Sequence, residues 1–426
     1  MSKYRTAKQN TRQYPSSIKG LGSAQLPKAE TAYITTFTSG SGAVVKRFFM
    51  VGDKVETTAS AQIYKGQTRS VRADNPEELK ELLDGLGANE AVGLGILETI
   101  NQTFPLGTKD ALQAGTVSRS LEFLSHNKGA GWGMLDIDTK DLPQCVYANL
   151  TGDDIVADIF RLVPELEETA HLIRPSSSAG IMKPDGTTRK ATGNHIFIRL
   201  EYAPNLPQLL QVMFDRCWSA GLGFIKISKA GYMLERSPID LAVAGAERLI
   251  FEAPPIVQPP LVRVRPSDRL KHGGSLSDLA RPDPRLIAEL KRQARDKLKP
   301  AAAKMAQQFE VEQIDKIWSQ TKVSKTEARR IFRQRMRGSE LSDYDVLETS
   351  TGAFERVGDF LDRVTGVHGM PCPIEGSDYG PSNAAFYPAG PYSPEPRIIS
   401  YAHGVKTYFH FERYRHLRGL RWLPKH

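Results

Sequence analysis

Polar positions interrupt an apolar run at residues 132–138, Trp-Gly-Met-Leu-Asp-Ile-Asp, and the pattern predicts a strand. Successive side chains of a strand point to opposite faces, so Asp136 and Asp138 share one face. Two carboxylates at the end of a buried strand suit a hard cation such as Mg²⁺ or Mn²⁺. The alternative is a pair of aspartates that caps a turn. A second Asp-x-Asp, Asp343-Tyr344-Asp345, lies in a polar stretch without this context.

Other hydrophobic and polar patterns predict further strands and helices in the first 260 residues. Strands are predicted at residues 32–37, 44–51 and 192–200. Helices are predicted at residues 76–86, 155–167 and 206–220, the last two with one apolar face. Asn75 is a suitable N-cap for the first helix, and Pro76 suits its first position. Strands and helices around a buried acidic strand predict an α+β or α/β catalytic domain, and we expect α+β, with a mixed sheet and flanking helices.

Three features downstream are candidates for the same site as Asp136 and Asp138. Residues 174–180, Arg-Pro-Ser-Ser-Ser-Ala-Gly, are small and polar and are typical of a turn-prone loop. His195 stands at the start of a predicted strand, where an imidazole can point into a cleft. A hydrogen-bonded core or edge histidine would have the same pattern. Asp240 follows a predicted strand and turn and is a candidate third carboxylate.

This order of features resembles the archaeo-eukaryotic primase superfamily. The matching motifs are Leu135-Asp136-Ile137-Asp138, Gly193-Asn194-His195 and Ile239-Asp240. More narrowly, residues 30–260 resemble the primase-polymerases carried by phages and plasmids. That branch has counterparts of three more segments, which here are Val117-Ser118-Arg119, Ser176-Ser177-Ser178 and Glu247-Arg248-Leu249-Ile250-Phe251-Glu252.

The chain departs from the family pattern in two places. Gly193 stands where a serine often precedes the histidine by two residues. A polar insertion at about residues 182–190 separates the serine-rich loop from His195. By this resemblance, Ser177 or Ser178 would supply the missing hydroxyl group and contact the nucleotide.

The resemblance implies DNA-templated nucleotidyl transfer, which makes or extends primers in phage or plasmid replication. Asp136, Asp138 and Asp240 would hold two Mg²⁺ or Mn²⁺ ions, and His195 would donate a hydrogen bond to a triphosphate oxygen. Basic side chains would bind the remaining phosphate charge; the candidates are Arg119, Lys226, Lys229 and Arg248. A solvated residue or a structural ion pair is the alternative for each of these four.

Composition and charge agree with a polyanionic partner. The 426 residues carry a formal net charge of +9, and the sequence pI is about 9.3. This length predicts two or three domains. The sequence has no run of 18 apolar residues and no signal peptide, which predicts a soluble intracellular protein with no membrane partner. The resemblance to phage and plasmid primase-polymerases implies the cytoplasm of a bacterial host cell. The three cysteines are too far apart for a zinc knuckle or a disulfide framework.

Shifts in composition divide the chain into four predicted parts. Residues 1–30 are polar and basic and are predicted to be a disordered lead. Residues 31–260 form the predicted catalytic domain, and the proline-rich stretch 254–266 marks its end. Residues 261–340 are predicted to form a basic helical domain, and residues 341–426 a small β-containing module.

A basic helix is predicted where a capping box, Ser324-x-x-Glu327, is followed by several arginines. Those near one helical face are Arg329, Arg330 and Arg333. With a helix at residues 311–320, this segment would form a helix-turn-helix pair that contacts nucleic-acid phosphates. A solvated helical face is the alternative.

The tail at residues 406–425 is a second candidate surface for nucleic acid. It carries six Lys and Arg residues, among them Arg413 and Arg415, interleaved with aromatic rings. Such rings stack on single-stranded bases in many proteins, but they could also form the core of a small module.

Three functions remain compatible with these residues. The first is a primase-polymerase that uses a single-stranded DNA template and nucleoside triphosphates. The second is a replication initiation factor of the same fold that binds DNA without polymerising. The third is a glycosyltransferase that holds a metal and a nucleotide sugar with Asp136 and Asp138, which leaves His195 and Asp240 unexplained. No Walker A motif occurs, so a replicative helicase would be a separate partner.

Overall fold

The computed structural model describes most of the chain and has an α+β fold, as the sequence predicts. The described residues are 31–58, 62–108, 113–139, 142–151, 154–188, 193–321, 323–336, 340–349, 352–377, 380, 382–390, 393–402 and 407–417. The predicted disordered lead, residues 1–30, lies outside the described residues, as do residues 418–426 of the tail.

The strands before residue 280 are numbered in chain order. They are β1 (Tyr33–Ser39), β2 (Arg47–Val51), β3 (Lys54–Thr58), β4 (Gly66–Arg72), β5 (Glu90–Gly93), β6 (Thr103–Gly107), β7 (Val117–Ser118), β8 (Gly131–Asp138), β9 (His171–Pro175), β10 (Ile181–Met182), β11 (Gly193–Leu200), β12 (Phe224–Ile227), β13 (Met233–Arg236), β14 (Ile256–Val257), β15 (Val262–Arg263) and β16 (Arg269–Lys271).

The C-terminal part contributes seven shorter strands. They are β17 (Glu340–Leu341), β18 (Val346–Glu348), β19 (Phe354–Arg356), β20 (His368–Met370), β21 (Ala384–Tyr387), β22 (Arg397–Ser400) and β23 (Thr407–Phe411). The α-helices are α1 (Pro76–Asp84), α2 (Gln144–Tyr147), α3 (Ile155–Leu162), α4 (Leu206–Ser219), α5 (Pro284–Thr321), α6 (Lys325–Met336) and α7 (Val357–Arg363).

The predicted Asp-x-Asp segment is strand β8 of a four-stranded antiparallel sheet, ordered β16-β9-β11-β8. A mixed five-stranded sheet, ordered β5-β1-β4-β6-β7, lies alongside, and one hydrophobic core joins residues of both sheets with α1, α3 and α4. Met134 and Leu135 are both buried, although they lie on opposite faces of β8. Asp136 follows them and is partly exposed, whereas Ile137 is fully buried, so only the face of β8 that carries Asp136 opens toward the surface near the carboxyl end of the strand.

The three helices predicted in the first 260 residues are present, and α3 ends earlier than the sequence predicts. Asn75 caps α1 by accepting a hydrogen bond from the backbone N–H of Glu78 at 2.9 Å, as its position before Pro76 predicts. Helix α4 spans nearly the whole predicted segment. Helix α3 ends at Leu162, and a 3₁₀ helix continues at Pro164, because the residue before a proline disfavours the helical conformation.

The prediction of a short helix at residues 311–320 is wrong in its extent. These residues belong to α5, one helix of 38 residues that continues through Pro300. Its first half packs through Ile287 and Leu290 against Phe214 and Trp218 of α4. Its second half packs into the core of the C-terminal part, where the buried residues include Phe309, Ile314 and Ile317. Packing on two cores therefore outweighs the local cost of the proline.

The expected domain boundary at residue 260 does not coincide with the end of the first core. Strand β16 pairs with β9 at the edge of the four-stranded sheet, and Leu276 and Leu279 are buried in the same core as β8. The first half of α5 then covers α4 and the β12–β13 hairpin. The proline-rich stretch thus connects segments that share this first core, and the first half of α5 packs on the same body as far as Leu298.

A chain that ends at residue 262 should fail to unfold cooperatively, whereas one that ends at residue 299 should retain a sharp transition. The shorter chain lacks Leu276 and Leu279 in its core and uncovers Phe214 and Trp218. Each such decrease in buried apolar surface costs on the order of 2 kcal/mol or more. Thermal unfolding followed by circular dichroism measures the difference, and equally sharp transitions would show that residues 263–299 are dispensable.

The C-terminal part has its own sheet and core. Five strands in the order β17-β23-β22-β21-β20 pack against α6, α7 and the end of α5. Ser324 caps α6 by accepting a hydrogen bond from Glu327 N–H at 3.1 Å, in agreement with the predicted capping box. Ala230, at the turn of the β12–β13 hairpin, is buried in this second core, so the hairpin joins the two bodies. No described helix is long and apolar enough to cross a membrane.

Candidate active site

Three side chains lie in one row across neighbouring strands of the four-stranded sheet. His195 on β11 is directly opposite Asp136 on β8 and, on its other side, directly opposite Arg174 on β9. Residues opposite one another in antiparallel strands point to the same face, so the three side chains meet. The imidazole Nε2 of His195 is 3.6 Å from a carboxylate oxygen of Asp136.

Asp240 extends this row on the far side of β8. Ile239 bridges Ile137 in antiparallel fashion, and the Asp240 N–H donates to the Asp136 carbonyl at 3.1 Å. The Asp240 carboxylate begins a 3₁₀ helix by accepting from Ala242 N–H at 2.9 Å. About half of the Asp240 side chain is exposed, as is a third of Asp136. The chain therefore brings the first and third predicted carboxylates together, and we call Asp240, Asp136, His195 and Arg174 the polar row.

Asp138 ends strand β8 opposite Gly193, two residues beyond Asp136. Its side chain lies outside the part of the chain that the structure describes. Among the described side chains, no three His, Cys, Asp or Glu groups come together as a formed metal site. Asp136 and Asp240 are nevertheless adjacent through their backbones, and both have partly exposed carboxylates of the type that Mg²⁺ and Mn²⁺ prefer, so the two residues suit a metal of this class.

The serine-rich loop lies against the start of β11. Ser176 N–H donates to the Gly193 carbonyl at 2.9 Å, and the Ser176 hydroxyl is 2.9 Å from that of Ser178. A Cβ atom at Gly193 would lie 3.3 Å from both the Ile137 carbonyl oxygen and the Ser176 Cβ, so a larger residue there would be crowded. Ser176 therefore lies closest to Gly193, whereas the sequence points to Ser177 or Ser178 for the missing hydroxyl. Ser177 and Ser178 are half-buried in the same loop.

His195 has a second, buried carboxylate partner in Glu252. The imidazole Nδ1 forms a very short contact with Oε1 of Glu252. Burial acts to lower the pKa of His195, but Glu252 and then Asp136 outweigh it, so the pKa lies above its ordinary value. Burial likewise acts to raise the pKa of Glu252, but His195 and Arg174 hold it below its ordinary value. Both shifts favour an imidazolium–carboxylate pair.

Arg174 is the centre of a buried ion cluster beneath this pair. Its guanidinium is 3.0 Å from carboxylate oxygens of Glu252, Asp84 and Asp268. Arg265 reaches the same Asp84 and Asp268, at 3.2 and 2.7 Å. Burial acts to raise the pKa of Asp84, but Lys80, Arg174 and Arg265 together lower it to about 2. This cluster ties α1, β9 and the segment before β16 to the polar row.

The predicted phosphate-binding residues fall in different places. Arg248 lies 3.9 Å from Asp240, at the edge of the polar row. Arg119 donates to the Glu247 carbonyl at 3.0 Å and is largely buried, which lowers its pKa. Lys226 and Lys229 lie on the β12–β13 hairpin, where Lys229 is close to Glu375 of the C-terminal part and acts against the raised pKa of that carboxyl.

The predicted nucleic-acid-binding arginines differ in how closely they pair with carboxylates. Arg413 lies 2.8 Å from Asp343 and 2.6 Å from Asp362, and Arg415 lies 2.6 Å from Glu340. These two arginines therefore link the segment after β23 to β17, to the loop that follows β17 and to α7. Arg330 lies 2.7 Å from Glu327 on its own helix. Arg329 and Arg333 are exposed on α6, and Arg333 is 3.9 Å from Glu310.

Sequence reasoning missed four residues of the site. Arg174 is predicted to lie in a loop, yet it lies in β9, and the pattern around Asp84 indicates only the end of an ordinary surface helix. Glu252 belongs to a segment that the family resemblance marks, but the resemblance gives it no role. Lys46 precedes β2 and lies close enough to His195 to oppose protonation of the imidazole. No local pattern indicates these residues, because their partners are distant in sequence.

We compared the chain with protein-family models, with curated proteins and with solved structures, and none of the three comparisons gave a match.

Proposed function

We propose that this protein is a metal-dependent nucleotidyltransferase that makes or extends primers on a DNA template. The proposal rests on one observation, which is the meeting of Asp240, Asp136 and His195 in the polar row. Three motifs that resemble those of the primase-polymerases are far apart in the chain, and residues from all three lie side by side in this partly exposed row. Phage or plasmid replication in a bacterial cytoplasm is the setting that the resemblance suggests.

Each residue of the site has a role in this proposal. Asp136, Asp138 and Asp240 would hold Mg²⁺ or Mn²⁺, which when bound neutralises phosphate charge in the transition state. His195, whose pKa Glu252 and Asp136 raise, would donate from Nε2 to a triphosphate oxygen. Arg248 and Lys46 lie at the edge of the site and would bind further phosphate charge. Ser176, Ser177 and Ser178 would supply hydroxyl donors beside β11.

The test is nucleotide incorporation by the purified full-length chain. The reaction contains a single-stranded DNA template with or without an annealed primer, labelled ribo- or deoxyribonucleoside triphosphates, and Mg²⁺ or Mn²⁺. We expect products longer than the primer, or new primers, on a sizing gel. DNA binding without incorporation would favour the replication initiation factor. Transfer from a nucleotide sugar without DNA synthesis would favour the glycosyltransferase.

His195→Ala should raise the KM for the nucleotide about tenfold or more while leaving DNA affinity unchanged. The reason is the loss of a charged hydrogen-bond donor to the triphosphate, worth about 1.5–3 kcal/mol. Steady-state extension and template binding by fluorescence anisotropy measure the two quantities. His272→Ala is the matched control, because His272 is exposed and pairs only with Glu77 at 2.7 Å among its described contacts. An unchanged KM in His195→Ala would remove His195 from the nucleotide site.

A further inference from the structure

Glu252 is buried beside the polar row with both carboxylate oxygens engaged. Oε1 contacts the His195 imidazole Nδ1, and Oε2 accepts from Arg174 Nε at 3.0 Å. Only 4% of its side chain is exposed. A carboxylate in this position is too enclosed to meet a metal or a nucleotide, so any effect of Glu252 on the reaction has to pass through its neighbours.

The Arg174 guanidinium also binds two aspartates through its Nη1 atom, so its position beside Glu252 is fixed. Its Nη1 lies 3.0 Å from Asp84 and 3.0 Å from Asp268. Because Arg174 and His195 are opposite one another in register, Glu252 spans two adjacent strands on one face of the sheet. The guanidinium therefore fixes one end of the carboxylate, and the carboxylate fixes the imidazole.

The hydrogen bond at Nδ1 decides which nitrogen of His195 faces the surface. An imidazole has two distinct nitrogens, and a hydrogen bond at one of them sets the ring orientation and the protonation of the other. With Nδ1 turned toward Glu252, the other ring nitrogen, Nε2, points toward Asp136 at a distance of 3.6 Å. Removal of the Glu252 carboxylate would release the ring from this orientation.

We propose that Glu252 is a positioning residue, which holds His195 with Nε2 toward the substrate side of the polar row. This inference rests on the proposed function only for the identity of the substrate, a nucleoside triphosphate. The orientation of the imidazole is a property of the protein alone and can be measured without any reaction.

The first test is a double-mutant cycle with Glu252→Leu and His195→Ala in the full-length chain. Glu252→Leu should raise the KM for the nucleotide about tenfold, with a smaller change in kcat. The double variant should be no worse than His195→Ala alone, because Glu252 acts through His195. Glu252→Gln keeps an acceptor for the Nδ1 proton and should restore most of the affinity. If the increase in KM of the double variant equals the product of the two single increases, the proposal is overturned.

The second test is independent of nucleotide incorporation. Protein with ¹⁵N-labelled histidine should show a low-field Nδ1–H proton resonance, assigned to His195 by its absence from His195→Ala. Glu252→Leu should lose this resonance and Glu252→Gln should keep it, in protein whose thermal unfolding shows that it is folded. If Glu252→Leu does not fold, Glu252→Asp, which is too short to span His195 and Arg174, carries the same expectation. An unchanged resonance in Glu252→Leu or Glu252→Asp protein would overturn the proposal. If the wild-type protein shows the resonance but incorporates no nucleotide, only the proposed function is overturned.

Discussion

Asp136→Asn should abolish nucleotide incorporation while leaving the protein folded. Asparagine keeps the size of the side chain but removes the charge that would hold a divalent ion beside Asp240. We expect the rate of extension to fall by about a thousandfold or more, the scale seen when a group that stabilises transition-state charge is removed. Single-turnover extension with Mg²⁺ and with Mn²⁺ measures the loss.

The stability of this variant should change by less than about 1 kcal/mol, because Asp136 is partly exposed and its loss also relieves repulsion from neighbouring carboxylates. The matched control is Asp343→Asn in the second Asp-x-Asp of the chain, where Asp343 pairs with Arg413 at 2.8 Å. That variant should extend primers at the wild-type rate. Wild-type incorporation by folded Asp136→Asn protein would show that the polar row does not hold the metal.

Local sequence patterns predicted those strands and helix ends that depend on neighbouring residues in the chain. The alternation at residues 132–138 gives strand β8, and the cap at Asn75 begins α1 where the sequence places it. The expectation that His195 and Asp136 belong to one site comes from the family resemblance, which rests on the order of the motifs. No hydrophobic or polar pattern in the sequence predicts that the two residues pair. No local pattern determines the register of β8 with β11.

The rest depends on interactions between segments that are distant in the chain. Arg174 lies in a strand and is buried because carboxylates from three separate segments surround its guanidinium. The sequence shows these acids only as scattered charges. Pro300 is likewise a local signal for a helix end, yet α5 continues because its two halves pack on different cores. Residues 269–279, which lie beyond the expected boundary at residue 260, likewise pack with β9 and the core around β8.

The packing of Leu276, Leu279 and the first half of α5 on the first body changes how the C-terminal part should be tested. A chain that ends at residue 299 retains the polar row and the helical cover of α4. We expect it to extend a pre-annealed primer at high DNA concentration but to prime poorly on bare template, because no duplex then holds the initiating nucleotides in place. Its template affinity should fall less steeply with salt than that of the full-length chain, by about 0.7 in the log–log slope for each phosphate that the shorter chain no longer binds. Identical slopes would show that residues 300–426 do not bind DNA.

Point variants of the full-length chain separate direct phosphate binding from indirect effects of the deletion. Arg329→Gln with Arg333→Gln should lower the salt slope, because both side chains are exposed on α6 and available to phosphates. Arg413→Gln is the matched control: it removes the same kind of charge from a guanidinium that lies 2.8 Å from Asp343 and 2.6 Å from Asp362. That control should leave the slope unchanged and lower the melting temperature, since it leaves the two aspartates without their arginine. An equal fall in slope for all the variants would mean that net charge, and not a site on α6, governs template binding.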